Sequence, residues 1–221
     1  MLTWAAIGLL TAATVVAVRW WSARTDTLGR RRSFPWISTL CLVALACTAL
    51  APGVLRARLE HRLRLASEAI VGMPVEVNCQ SFGGAFVDVG GDLGYVAFGP
   101  DGVPERSTLI KRDQCHDLAA YLRSDKLDPT QQQVVAVHVL THETIHMDGV
   151  TNEVETECLA VQQDARMARL LGAAPEAADA LALTYWTEIY PRMPSEYRSE
   201  ECGPGLLLDA HLSGAPWSPV E

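Results

Sequence analysis

Residues 128–149 read DPTQQQVVAVHVLTHETIHMDG, and this stretch decides what kind of domain the chain builds. Asp128-Pro129 is a helix-start signal, with Asp as the cap and Pro at the first helical position. Gly149 is a stop. The helix expected between them, from Pro129 to about Met147, carries His142, Glu143 and His146 in the order His-Glu-x-x-His. Histidines four apart lie one turn above the other on one face, so both imidazoles can reach a single ion at about 2.0–2.1 Å. Glu143 is then placed to take a proton from a water that the ion activates. His138 continues the stripe one turn earlier. At a rise of ~1.5 Å per residue it stands about 12 Å from His146 along the axis, so it reads as a buried or supporting residue.

A hydrolytic zinc site takes three protein ligands and keeps its fourth position for water. The next helix, expected from about Asn152 to Leu171, offers Glu153, Glu155 and Glu157. Glu153 and Glu157 share a face, and Glu155 points away from it into solvent. Helical side chains tilt toward their N-terminus, here toward the turn at Gly149, which favours Glu157 as the third ligand. Glu153 is the alternative, either as ligand or as support for a ligand histidine.

Outward from these helices the pattern changes. Between Pro74 and Ile110 short β-like runs (Val75–Val77, Ala85–Val89, Gly94–Phe98) are punctuated by Gly83-Gly84, Gly90-Gly91 and Pro100-Asp101-Gly102. No glycine spacing matches a nucleotide-binding loop. A short helix is expected over Asp113–Arg123 and another from Pro175 to about Tyr190. The Gly- and Pro-rich tail from Glu200 wraps the surface. The sum is an α+β domain: a short antiparallel sheet, then a helical half that carries the metal helix.

The first 64 residues differ. Residues 2–18 form an uncharged run of 17 residues and residues 33–55 one of 23, against the roughly 17–25 needed to cross a bilayer. A basic loop, residues 19–32, separates them. The expected organisation is thus a membrane anchor (1–64) and a domain (65–221). Arg19, Arg24, Arg30, Arg31 and Arg32 favour a cytoplasmic loop and an extracytoplasmic domain, although Arg56, Arg58, Arg62 and Arg64 pull the other way. Cys79, Cys115, Cys158 and Cys202 in the domain suggest two disulfides, with three pairings open, as in an exported protein. The stem RARLEHRLRLASEAI (56–70) would carry an apolar stripe of Leu59, Leu63 and Ile70 near the headgroups. Residues 65–221 hold nine basic and 24 acidic residues, a net of −15, which excludes nucleic acid as a natural partner. Gln131-Gln132-Gln133, Thr141, Glu143 and Asp148 make the metal helix too polar to lie within the bilayer.

With His142-Glu143-x-x-His146 and Glu157-Cys158-Leu159-Ala160 in view, the chain resembles gluzincin-type zinc metallopeptidases, specifically uncharacterised bacterial membrane-associated ones. Tyr197-Arg198-Ser199-Glu200-Glu201-Cys202-Gly203 is similar to their tail. The resemblance covers about residues 75–210. It implies a zincin-like domain with Zn2+ on His142, His146 and Glu157, Glu143 as general base, and a peptide or protein substrate. It also implies that Cys158 pairs with Cys202 and Cys79 with Cys115. Two departures stand out: the interval from His146 to Glu157 is short, and no substrate-binding strand signature precedes the helix. Tyr190, Tyr197 and His211 are candidate donors to an oxyanion. The alternative is a tethered, non-catalytic domain with a structural or vestigial metal site.

Overall fold

The computed structural model describes residues 2–25, 29–81 and 93–218. Contacts divide the chain into two compact units, residues 1–58 and 59–221. In the first, α1 (Leu2–Ser22) and the start of α2 (Trp36–Val71) are long and apolar enough to cross a membrane. Large side chains such as Trp4, Ile37 and Leu40 face outward along them, which suits hydrocarbon better than water. The Trp20 indole donates to the Arg32 carbonyl at 3.1 Å, folding the basic loop back on itself.

The second unit begins inside α2. Leu63 is buried, and Leu59 and Ile70 pack against the core, so the apolar stripe of the stem is used by the domain. Three strands follow: β1 (Glu76–Cys79), β2 (Gly94–Phe98) and β3 (Pro104–Ile110), in the spatial order β1-β3-β2. The sheet is mixed, which corrects the expected antiparallel one. β2 and β3 form an antiparallel hairpin with Tyr95 opposite Leu109, closed by Gly99 and Gly102 (φ 75°). The hairpin takes one edge of β3, so β1 takes the other. Its connection to β3 is long enough to bring it back parallel, with Val77 opposite Thr108. The candidate strand Ala85–Val89 and the turns at Gly83-Gly84 and Gly90-Gly91 lie outside the described residues.

The helical half comprises α3 (Arg112–Arg123), α4 (Gln131–Met147), α5 (Glu153–Leu170) and α6 (Pro175–Thr184), extended by a π-helical turn over Tyr185–Ile189. The cap of α4 is Thr130 rather than Asp128. The Gln133 amide donates to the Thr130 hydroxyl, and the Thr130 amide donates to Gln133 Oε1 at 2.9 Å. This reciprocal pair satisfies two helix-start donors that Asp128, two residues earlier, does not reach. From Val134 on, α4 is buried on nearly every side, packed against α3, α5 and the sheet. It is the central helix, so its polar side chains must find partners inside the protein.

Gly149 (φ 109°) turns the chain from α4 toward α5, which Asn152 caps by accepting from the Glu155 amide. Both disulfides have the pairing that the resemblance implied: Cys79–Cys115 ties β1 to α3, and Cys158–Cys202 ties α5 to the tail. Buried Gln162 adds a second clasp, donating to the Leu208 carbonyl and accepting from the Ala210 amide. The tail from Met193 is thereby held beside α5.

Candidate metal centre

Three neighbouring elements meet at the middle of α4. His142, Glu143 and His146 come from α4 itself, Glu153 and Glu157 from α5, and the wall opposite from β2. They line a cleft of about 520 Å³, closed on the far side by Tyr185, Ile189 and the tail residues Met193, Pro194 and Tyr197.

His142 Nε2 and His146 Nε2 are 3.1 Å apart, and Glu153 Oε2 lies 3.2 Å from the first and 3.4 Å from the second. Ligands on arms of about 2.0–2.1 Å at tetrahedral angles would be separated by about 3.3–3.4 Å. The three atoms therefore already form the face of a tetrahedron of the right size for an ion. Hydrogen bonds on the other ring nitrogens explain why. His146 Nδ1 lies 2.8 Å from the Val150 carbonyl, and His142 Nδ1 lies 2.9 Å from Glu157 Oε2. Each Nδ1 faces an acceptor, so rings protonated at Nδ1 alone would present both Nε2 lone pairs on the Glu153 side to an ion.

Glu157 belongs to a different group. It meets His142 at Nδ1 and His138 Nε2 at 2.9 Å, and its other oxygen accepts from the Tyr185 hydroxyl at 2.7 Å. The potential metal-holding groups are thus His142, His146 and Glu153, and the more deeply buried His138, His142 and Glu157 on the same cleft wall. Both share His142, and Glu157 is not grouped with His146. The second group is fully buried, whereas Glu153 is part exposed and open to solvent.

Electrostatics favours positive charge on His138 and His142 but not on His146. Burial pushes His138 down, but Asp164 and Glu157 outweigh it and raise its pKa to about 10. Burial likewise opposes charge on His142, yet hydrogen bonds that its ring donates to Glu153 and Glu157 lift it to about 9. Glu157 sits well below the usual carboxylate range: burial raises it, and the two histidines overcome that. A hydrogen bond from His142 lowers Glu153. His146, with burial and the His142 charge against it, is lowered. Carboxylates that hold protons on these rings would equally stabilise a divalent cation.

Glu143 is buried, and its Oε2 lies 3.5 Å from the Thr108 hydroxyl on β3. Gly94, on β2, makes room for it. A Cβ there would come within 3.0 Å of both Glu143 Cγ and Oε1. Among the candidate oxyanion donors only Tyr197 lines the cleft, its ring centroid 6.0 Å from that of His142. The Tyr190 hydroxyl is engaged by the Ser199 backbone, and His211 is a surface residue paired with Asp209.

Sequence reasoning missed Tyr185 and Asp164. Asp164 stands seven residues after Glu157, hence on the same helical face, and that spacing could have flagged it. Tyr185 enters from the π-helical turn and had no comparable signal. The chain matches no protein-family model, no curated protein and no solved structure. The functional reading below accordingly rests on the residues and their geometry.

Proposed function

We propose that the chain is a membrane-anchored zinc metallopeptidase of zincin-like build, with His142, His146 and Glu153 as the protein ligands and Glu143 as the general base. The observation that carries this reading is the triangle of Nε2, Nε2 and Oε2 atoms at 3.1–3.4 Å. Side-chain tilt on the helix favoured Glu157 over Glu153; the distances support the reverse. Two imidazoles and one carboxylate form a donor set that suits zinc, and an edge open to a cleft leaves a fourth position accessible.

A zinc ion held there would supply Lewis acidity, polarising a carbonyl and acidifying a neighbouring water. The chain's own residues do the rest. Glu143 accepts the proton of the attacking water on its carboxylate and passes it to the leaving amide nitrogen. Tyr197, which lines the cleft beside His142, is the candidate donor to the developing oxyanion. β2 and the tail shape the space beside the reacting bond, and the two apolar helices tether the domain to the membrane, on the extracytoplasmic side that its disulfides favour.

The test uses the full chain in detergent, loaded with zinc and offered a mixed peptide library. The expected result is bound zinc and cleavage in the natural sequence, with zinc retained and cleavage lost in Glu143→Gln. Zinc retained with no cleavage by the natural sequence would favour the non-catalytic alternative, and equal cleavage by both would remove Glu143 as the base.

A further inference from the structure

Along the inner wall of the cleft runs a chain of buried polar groups that the proposed hydrolysis does not use directly. Asp164 Oδ2 is 2.8 Å from His138 Nδ1, and His138 Nε2 is 2.9 Å from Glu157 Oε2. That same oxygen lies 2.9 Å from His142 Nδ1. Tyr185 closes the arrangement twice: its hydroxyl donates to Glu157 Oε1, and its ring stacks on His138 with centroids 3.6 Å apart at 12°. The side chains of His138, Asp164 and Glu157 are at most 3 % exposed. Groups this polar and this buried are expensive to keep unless they are held by partners; each of these side chains has at least one, while Asp164 Oδ1 has none.

We infer that Asp164, His138 and Glu157 form a positioning relay that fixes the ring of His142, and with it the geometry of the metal site. The inference rests on the proposed site at His142, His146 and Glu153. The sequence of contacts gives the relay its direction. A carboxylate oxygen only accepts, so both nitrogens of His138 donate, one to Asp164 and one to Glu157. His138 is thereby held at both ends, and it holds Glu157 Oε2 at the point where His142 Nδ1 donates. Tyr185 keeps the other Glu157 oxygen from rotating away. His142 can then neither flip its ring nor move its proton to Nε2 without breaking a buried charge-assisted bond.

The competing use of these residues is a second ion among His138, His142 and Glu157. It fits poorly. Ions on both sides of His142 would require its ring to lose both protons. Hydrogen bonds of 2.8–2.9 Å account for every contact in the group without an ion.

Cobalt(II) titration of the full chain in detergent, in competition with a chelator, tests the relay. Glu157→Gln and Asp164→Asn should each weaken cobalt binding about 10–100-fold, the range seen when outer partners of ligand histidines are removed. The visible spectrum of bound cobalt should stay that of the natural sequence, because no ligand has changed. Circular dichroism checks that each variant folds. If neither does, histidine-selective nitrogen NMR of the zinc-loaded natural chain decides: His142 protonated at Nδ1 supports the relay, and a bare Nδ1 overturns it. Natural affinity in both variants overturns it as well. So does an altered spectrum in Glu157→Gln, which would make Glu157 a ligand, or a second cobalt equivalent lost in His138→Gln. A natural chain that binds no cobalt would instead remove the metal site itself.

Discussion

The two sides of the His142 ring use the same residue types for different ends. On the Nε2 side stand a histidine, a part-exposed glutamate and an open cleft. On the Nδ1 side stand a histidine, a fully buried glutamate, an aspartate and a tyrosine, each bonded to the next. Three ligand-type atoms converge beside solvent on one side, and a chain of buried hydrogen bonds fills the other. A site that must exchange ligands needs the first arrangement, and a frame that must not move needs the second. Composition alone would not separate them; burial and the placement of protons do.

The largest expected effect breaks the open side. His146→Ala removes one of the three proposed ligands and should abolish stoichiometric zinc binding, read by metal analysis after dialysis. Glu143→Gln comes next. It should lower peptide cleavage by about 10²–10⁴-fold at unchanged zinc content, the usual contribution of a general base. Gly94→Ala sharpens the boundary between sheet and site. The new methyl group would meet Glu143 at 3.0 Å, so cleavage should fall by roughly one order of magnitude while zinc stays bound. An unaffected rate would show that Glu143 moves freely, against its assigned role. The smallest effect belongs to the buried side: Tyr185→Phe leaves one oxygen of Glu157 without its donor and should cost about 1–3 kcal/mol of stability in a denaturant melt. A neutral result there would mean the frame tolerates a loosened Glu157.

Much of this was legible in the sequence, for reasons that can be traced. The spacing of His142, Glu143 and His146 on a helix needs only the helical period, and the start of α5 falls where it was expected, at about Asn152. The β2 strand announced itself by its flanking glycines. The choice between Glu153 and Glu157 was harder, because both share one face of α5. What separates them is which nitrogen of His142 each one meets, a matter of ring orientation set by His138 and Tyr185 from elsewhere in the fold. The direction of β1 was similarly hidden, since it depends on which edge of β3 the hairpin leaves open. Pattern reveals what is local; partners brought in by tertiary packing do not show in it.

X-ray absorption at the zinc edge of the loaded full chain is the most direct test of the central claim. The account predicts a four-coordinate ion with two imidazole nitrogens at about 2.0–2.1 Å and oxygens at about 2.0–2.2 Å, and loss of one oxygen ligand in Glu153→Ala but not in Glu157→Gln. Three imidazoles around the ion, or an intact shell in Glu153→Ala, would contradict it.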